Sequence, residues 1–295
     1  MRKTLRRLLV ARPAWFFGLI WLASDLYLFL NGQAGLALNG LFLLVGVIVL
    51  GFFTLRLSDP APRSKTPHNQ RAWLEFTLQL FVILLFIVLT AYRGLVFHSV
   101  LAEFPGLPLW TPLLQRLDVI GGEWLGNPNY LVNPLLYLVI PFVLLVLLGA
   151  HPTGLGFGRG HQVWRITFLW AIPPLLVILG TLITGQVSLN RLSLRLLSNS
   201  LQNGFFEEFL FRGALQTRLR KVWSPGWALV SQAMLFGIWH LGVGYSTTGG
   251  GFGQALASTL VNQAVLGLAF GLIFERSRNL FASSVVHVLL NSMGI

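Results

Sequence analysis

Residues 35–55 read GLALNGLFLLVGVIVLGFFTL, twenty-one positions without an ionisable side chain. At 1.5 Å per residue this run makes a helix about 31 Å long, enough to cross the hydrocarbon core of a bilayer. Inside lipid only helices and closed barrels satisfy their own backbone polar groups, so an apolar run of this length implies a membrane helix. Outward from it, the same criterion picks out residues 14–31 upstream. Downstream it picks out residues 73–93, 131–149, 165–185, 198–216, 225–241, 255–275 and 280–295. The expectation is an all-α polytopic membrane bundle of about eight or nine transmembrane helices.

Composition agrees. Hydrophobic residues make up 55% of the 295 and charged residues only 10%, too few charges to coat a soluble globule of this size. Cysteine is absent, which excludes disulfides and thiolate metal ligands. The net charge of +12 sits in short loops between apolar runs, not along one face. That placement points to anionic lipid headgroups and away from nucleic acid.

The same charges orient the chain. Arg2, Lys3, Arg6, Arg7 and Arg12 precede the first run, and Arg56, Arg63, Lys65 and Arg71 follow the second. Continuing in alternation, 16 of the 21 basic residues fall on one side and four on the other, with Arg212 inside a run. The positive-inside rule then puts the N-terminus in the cytoplasm and, with nine spans, the C-terminus outside. Lysine is scarce beside abundant Arg, Gly and Leu, which suggests a GC-rich bacterial gene and a bacterial cell membrane. Residues 94–130, with several prolines and tryptophans, are expected to form an amphipathic or re-entrant cover on the outer face. Pro141 and Pro173–Pro174 are expected to kink their helices. Residues 242–254, GVGYSTTGGGFGQ, are expected to form a flexible loop; they lack the lysine and spacing of a phosphate loop.

Chemistry concentrates in the last hundred residues. FFEEFLFRGAL carries Glu207, Glu208 and Arg212 inside an apolar run. Each such residue costs roughly 2.5–3.5 kcal/mol at mid-membrane, so something must offset them. Glu208 and Arg212 are four apart and can pair on one helix face. Glu207 points about 100° away and stays free to act, unless both glutamates only brace Arg212. MLFGIWHLG places Phe236 and His240 four apart, and SSVVHVLLNSMGI does the same for His287 and Asn291. Asn291, deep in a final helix, would again need partners. Counting from the helix starts, His240 and His287 would differ in depth by about 12 Å. Asp25 is read as a packing or interfacial residue, and Glu75, His98 and Glu275 as ordinary residues at span ends.

These motifs, EExxxR at Glu207–Arg212, FxxxH at Phe236–His240 and HxxxN at His287–Asn291, resemble in kind and order those of the CPBP family. This is the CAAX protease and bacteriocin-processing family, to which the type II CAAX prenyl endopeptidases belong. The likeness divides the chain into N-terminal membrane helices with an outer loop (1–197) and a catalytic core (198–295). It implies hydrolysis of a peptide bond in a membrane-associated substrate, for which a prenylated C-terminal CAAX peptide is the family's best-known example. In that scheme Glu207 and His240 activate a water, His287 and Asn291 stabilise the oxyanion, and Glu208, Arg212 and Phe236 support the site. The favoured mechanism requires no cofactor. A rival scheme makes Glu207, His240 and His287 ligands of a zinc ion, although the HExxH spacing is absent. A proton-relaying transporter, or a non-catalytic immunity or scaffold protein on the same fold, would use the same residues without proteolysis.

Overall fold

The computed structural model describes residues 12–59, 69–98 and 106–293. The basic residues Arg2, Lys3, Arg6, Arg7, Arg63 and Lys65 lie outside that set. Among the described residues the chain is helical, with no strand. Three long helices come first: α1 (Arg12–Leu30), α2 (Ala34–Leu57) and α3 (Gln70–Phe97). Asn69 starts α3 by accepting the Ala72 N–H at 2.8 Å, which supplies one of the helix's orphan donors. Their outward faces carry exposed Leu19, Phe42, Ile48, Phe81 and Val88. A soluble helix would hide such a surface; here the apolar solvent is lipid, and the protein is an integral membrane protein.

A 16-residue helix, α4 (Trp110–Leu125), occupies the segment expected to be a cover. The next helix, α5 (Asn129–Leu147), widens to a π-helix over Pro134–Val139, where the Ile140 N–H reaches back five residues to Leu135 O. Pro141 has no N–H to offer, so the ordinary ladder is already incomplete beside this widening. Helix α6 (Val163–Ile183) runs unbroken through Pro173 and Pro174.

Against about eight or nine expected spans, the described residues contain six helices long and apolar enough to cross a membrane, or seven if one bent pair counts as a span. The discrepancy lies in the C-terminal third. Residues 198–216 are not one helix: the chain breaks at Asn203 (φ −125°, ψ −75°). Before the break lies amphipathic α7 (Leu189–Gln202). After it lies α8 (residues 204–222), π-helical over Phe209–Gln216 and buried in protein for most of its length. Helix α9 (Pro225–Trp239) turns by 51° into α10 (Leu241–Thr247). Helix α11 (Phe252–Ser277) is the most enclosed span, and α12 (Leu280–Ser292) has only 13 residues, about 20 Å. Hydropathy recorded these segments as apolar, but burial inside the bundle explains their apolarity as well as lipid does.

Residues 242–254 are also not a free loop, since α10 and the start of α11 occupy most of them. Their glycines serve close packing. A Cβ on Gly242 would lie 2.6 Å from Gly94 O, and one on Gly244 2.7 Å from Ala255 O. Gly267 and Gly271 do the same where α9 lies on α11, against Ala233 and Gln232.

Candidate active site

Helix α8 is the axis of the site. Its consecutive glutamates diverge: Glu208 points into the protein and Glu207 toward a polar cavity. Glu208 and Arg212 are both fully buried, with Oε1 and Nη1 3.1 Å apart. The Arg212 guanidinium carbon lies 4.3 Å from the Phe236 ring centre, 5.2 Å from that of Phe270 and 5.9 Å from that of Phe211. An ion pair inside an aromatic cage offsets much of the desolvation of a buried arginine.

Glu208 has a second partner. His287 Nδ1 lies 2.9 Å from its Oε1. A carboxylate paired with arginine only accepts, so His287 carries its proton on Nδ1 and presents the Nε2 lone pair. The Phe270 ring stacks on this imidazole at 4.4 Å and 15° and fixes its plane. His240 is set the same way by different means. It caps α9 with its N–H on Gly237 O, which leaves Phe236 O to accept from His240 Nδ1 at 2.8 Å. The four-residue spacing of Phe236 and His240 thus fixes an imidazole through a backbone carbonyl, while the Phe236 ring covers Arg212.

Both Nε2 lone pairs face one atom. Glu207 Oε2 is 3.6 Å from His240 Nε2 and 3.8 Å from His287 Nε2, and it is buried without a hydrogen-bond partner. The depth mismatch of about 12 Å expected between the histidines is absent. Helix α9 ends at Trp239, and α12 starts only after Asn279, which is tied to Gly158 O, with Leu280 N–H on Gly156 O.

Glu207, His240 and Asn291 line a cavity of about 210 Å³. Asn291 is not deep in its helix as expected. It is exposed one residue before the end of α12, at the cavity wall, with no hydrogen bond among the described residues. The rest of the wall comes from residues outside the three motifs: Arg93, His98, Asn129, Asn133, Tyr137 and Trp239. His98 therefore has a place that its position at a span end did not suggest. The one hint in the sequence was Arg93, an arginine closing an apolar run.

Glu207, His240 and His287 are donors of the right kind for zinc. As placed, however, no group of three His, Asp or Glu side chains among the described residues is arranged to hold a metal ion. The site does join a carboxylate and two imidazoles around one buried oxygen, with a carboxamide in the same cavity wall, the parts of a general base with polar groups beside it.

Searches of curated proteins and of solved structures gave no match. A family model described as Type II CAAX prenyl endopeptidase Rce1-like matches residues 189–293. That stretch contains Glu207, Glu208, Arg212, Phe236, His240, His287 and Asn291. Over residues 189–293 the chain is similar to the Rce1-like type II CAAX prenyl endopeptidase family, a family of membrane proteases.

Proposed function

We propose that the protein is an intramembrane endopeptidase in which Glu207 activates a water to hydrolyse a peptide bond of a membrane-associated, CAAX-type substrate. The observation that carries this reading is the convergence of three acceptors, Glu207 Oε2 and the Nε2 atoms of His240 and His287, within 3.8 Å. Three lone pairs aimed at one point repel one another unless a proton donor sits among them, and water supplies two protons. Glu207 takes a proton from that water as its oxygen attacks the carbonyl carbon. His240 keeps the water aligned. The tetrahedral oxygen gains negative charge, which the Asn291 carboxamide in the cavity wall stabilises with its N–H, beside the His287 ring oriented by Glu208. Glu207 then passes its proton to the leaving amine. Glu208 and Arg212 act through His287 by fixing its tautomer.

This mechanism uses no cofactor, and no step is routed through a metal. Residues 198–295 make up the catalytic core, and the helices of residues 1–197 complete the cavity wall and hold it in lipid. We place the N-terminus in the cytoplasm, which the distribution of arginine and lysine supports, and the scarcity of lysine beside arginine favours a bacterial cell. The test is hydrolysis of labelled CAAX-type peptides by purified protein in ¹⁸O-water, read by mass spectrometry. One ¹⁸O in the new carboxyl of the N-terminal product identifies hydrolysis at that bond; intact peptides across the panel refute proteolysis.

A further inference from the structure

The same cavity has a cationic wall that the reaction above leaves unused. Arg93, near the end of α3, lines the cavity with Glu207 and His240, and its side chain is 11% exposed. Its Nη2 donates to Asp118 Oδ1 at 3.0 Å and Asn129 Oδ1 at 2.9 Å, and its Nη1 to Asn133 Oδ1 at 3.3 Å. Arg93 also hydrogen-bonds the Tyr137 side chain, and its Nε–H is buried without a partner. Asn133 is held in turn by donating to Gln202 O at 2.8 Å, beside the Asn203 break that precedes Glu207. Asp118 lies behind the guanidinium, outside the cavity lining, on a side chain 39% exposed. Among the described residues that line the cavity, Glu207 is the only carboxylate.

The cavity is therefore polarised, with a carboxylate at the reacting point and an under-satisfied guanidinium elsewhere in its wall. A latch joining α3 to α4 and α5 would not need a place in that wall. We propose that Arg93, held by Asn129 and Asn133, sets substrate specificity by receiving a carboxylate, that of a peptide's free C-terminus, while the scissile bond lies at Glu207. The proposal rests on the active-site reading above. It makes a short segment ending in a free carboxylate the piece released. Arginine suits the task because its planar donors match a carboxylate, and the apolar surroundings strengthen the contact.

The test measures binding, so it does not depend on turnover. Full-length protein in detergent is titrated with a short peptide bearing a free C-terminal carboxylate, and separately with the same peptide as its C-terminal amide. Wild type is expected to bind the carboxylate form about tenfold or more tightly, as a charge-assisted contact implies. Arg93→Gln should bring the ratio to about one while affinity for the amide stays the same. Asp118→Asn, which removes a competing negative charge, should raise the ratio, and it serves if Arg93→Gln fails to fold. Equal affinity for both peptides in wild type, an unchanged ratio in Arg93→Gln, or an unchanged ratio in Asp118→Asn would overturn the assignment. Selective binding of the carboxylate by a protein that cleaves nothing would uphold Arg93 and refute the protease. Cleavage indifferent to the C-terminus would do the reverse.

Discussion

His287 donates from Nδ1 to Glu208 Oε1 at 2.9 Å, and the same oxygen lies 3.1 Å from Arg212 Nη1. One buried oxygen therefore connects the arginine of one motif to the histidine of another. The two glutamates of α8 hold different offices: Glu208 is structural and orienting, and Glu207 faces the cavity.

From this division comes the first prediction. Glu208→Gln leaves Arg212 buried beside a neutral amide, a change that costs about 3–5 kcal/mol when one partner of a buried pair is removed. Glu207→Gln removes a group whose Oε2 has no partner to lose, and folding should be nearly unchanged. Thermal melting of both variants in detergent checks this. A larger loss for Glu207→Gln would mean the roles are exchanged.

Phe270 should matter to the site although it makes no hydrogen bond there. Its ring stacks on His287 and forms one wall of the Arg212 cage. Phe270→Leu keeps most of the volume and removes the π face, a loss of about 1 kcal/mol in stability. Turnover should fall more than stability, because the His287 plane is freed. If turnover per folded chain is that of wild type, the stacking has no role.

Asn291→Ala should slow the reaction without weakening substrate binding. Loss of one oxyanion donor typically lowers the rate by about 10²–10³. Because Asn291 makes no hydrogen bond in the resting site, the fold should lose little. Single-turnover rates and substrate affinity, measured side by side, separate the two effects. Unchanged chemistry would place the oxyanion elsewhere.

Gly242 tests the packing of α10 against α3. In Gly242→Ala the new methyl would meet Gly94 O at 2.6 Å, backbone that cannot move aside as a side chain does. Overpacking of this kind costs typically about 1–3 kcal/mol. A melting temperature equal to that of wild type would show that α10 is free to shift.

Much of this was legible beforehand, for physical reasons. A run such as 35–55 has no low-energy alternative to a membrane helix, and the four-residue spacing of Glu208 and Arg212 allows their pairing on one face. The helix count was less legible. Residues 204–216 and much of 280–293 are apolar because protein surrounds them, and hydropathy cannot distinguish protein from lipid. The break at Asn203 falls on an Asn203–Gly204 pair, a turn signal masked by the apolar residues around it. Residues 242–254 looked flexible because glycine marks close approach and flexibility alike. The cavity wall was hidden most completely: Arg93, Asn129 and Asn133 lie more than 70 residues from Glu207 in sequence, and only tertiary packing brings them together.

The central claim is that Glu207, held against two imidazoles, activates water without a metal. The most direct measurement is turnover of a labelled CAAX-type peptide by wild type and Glu207→Gln, with metal content determined on the same samples. Full wild-type activity at less than about 0.1 metal per chain, with none in Glu207→Gln, is the predicted result. Activity that disappears on chelation and returns with one zinc per chain, or a Glu207→Gln variant that still cleaves, would contradict it.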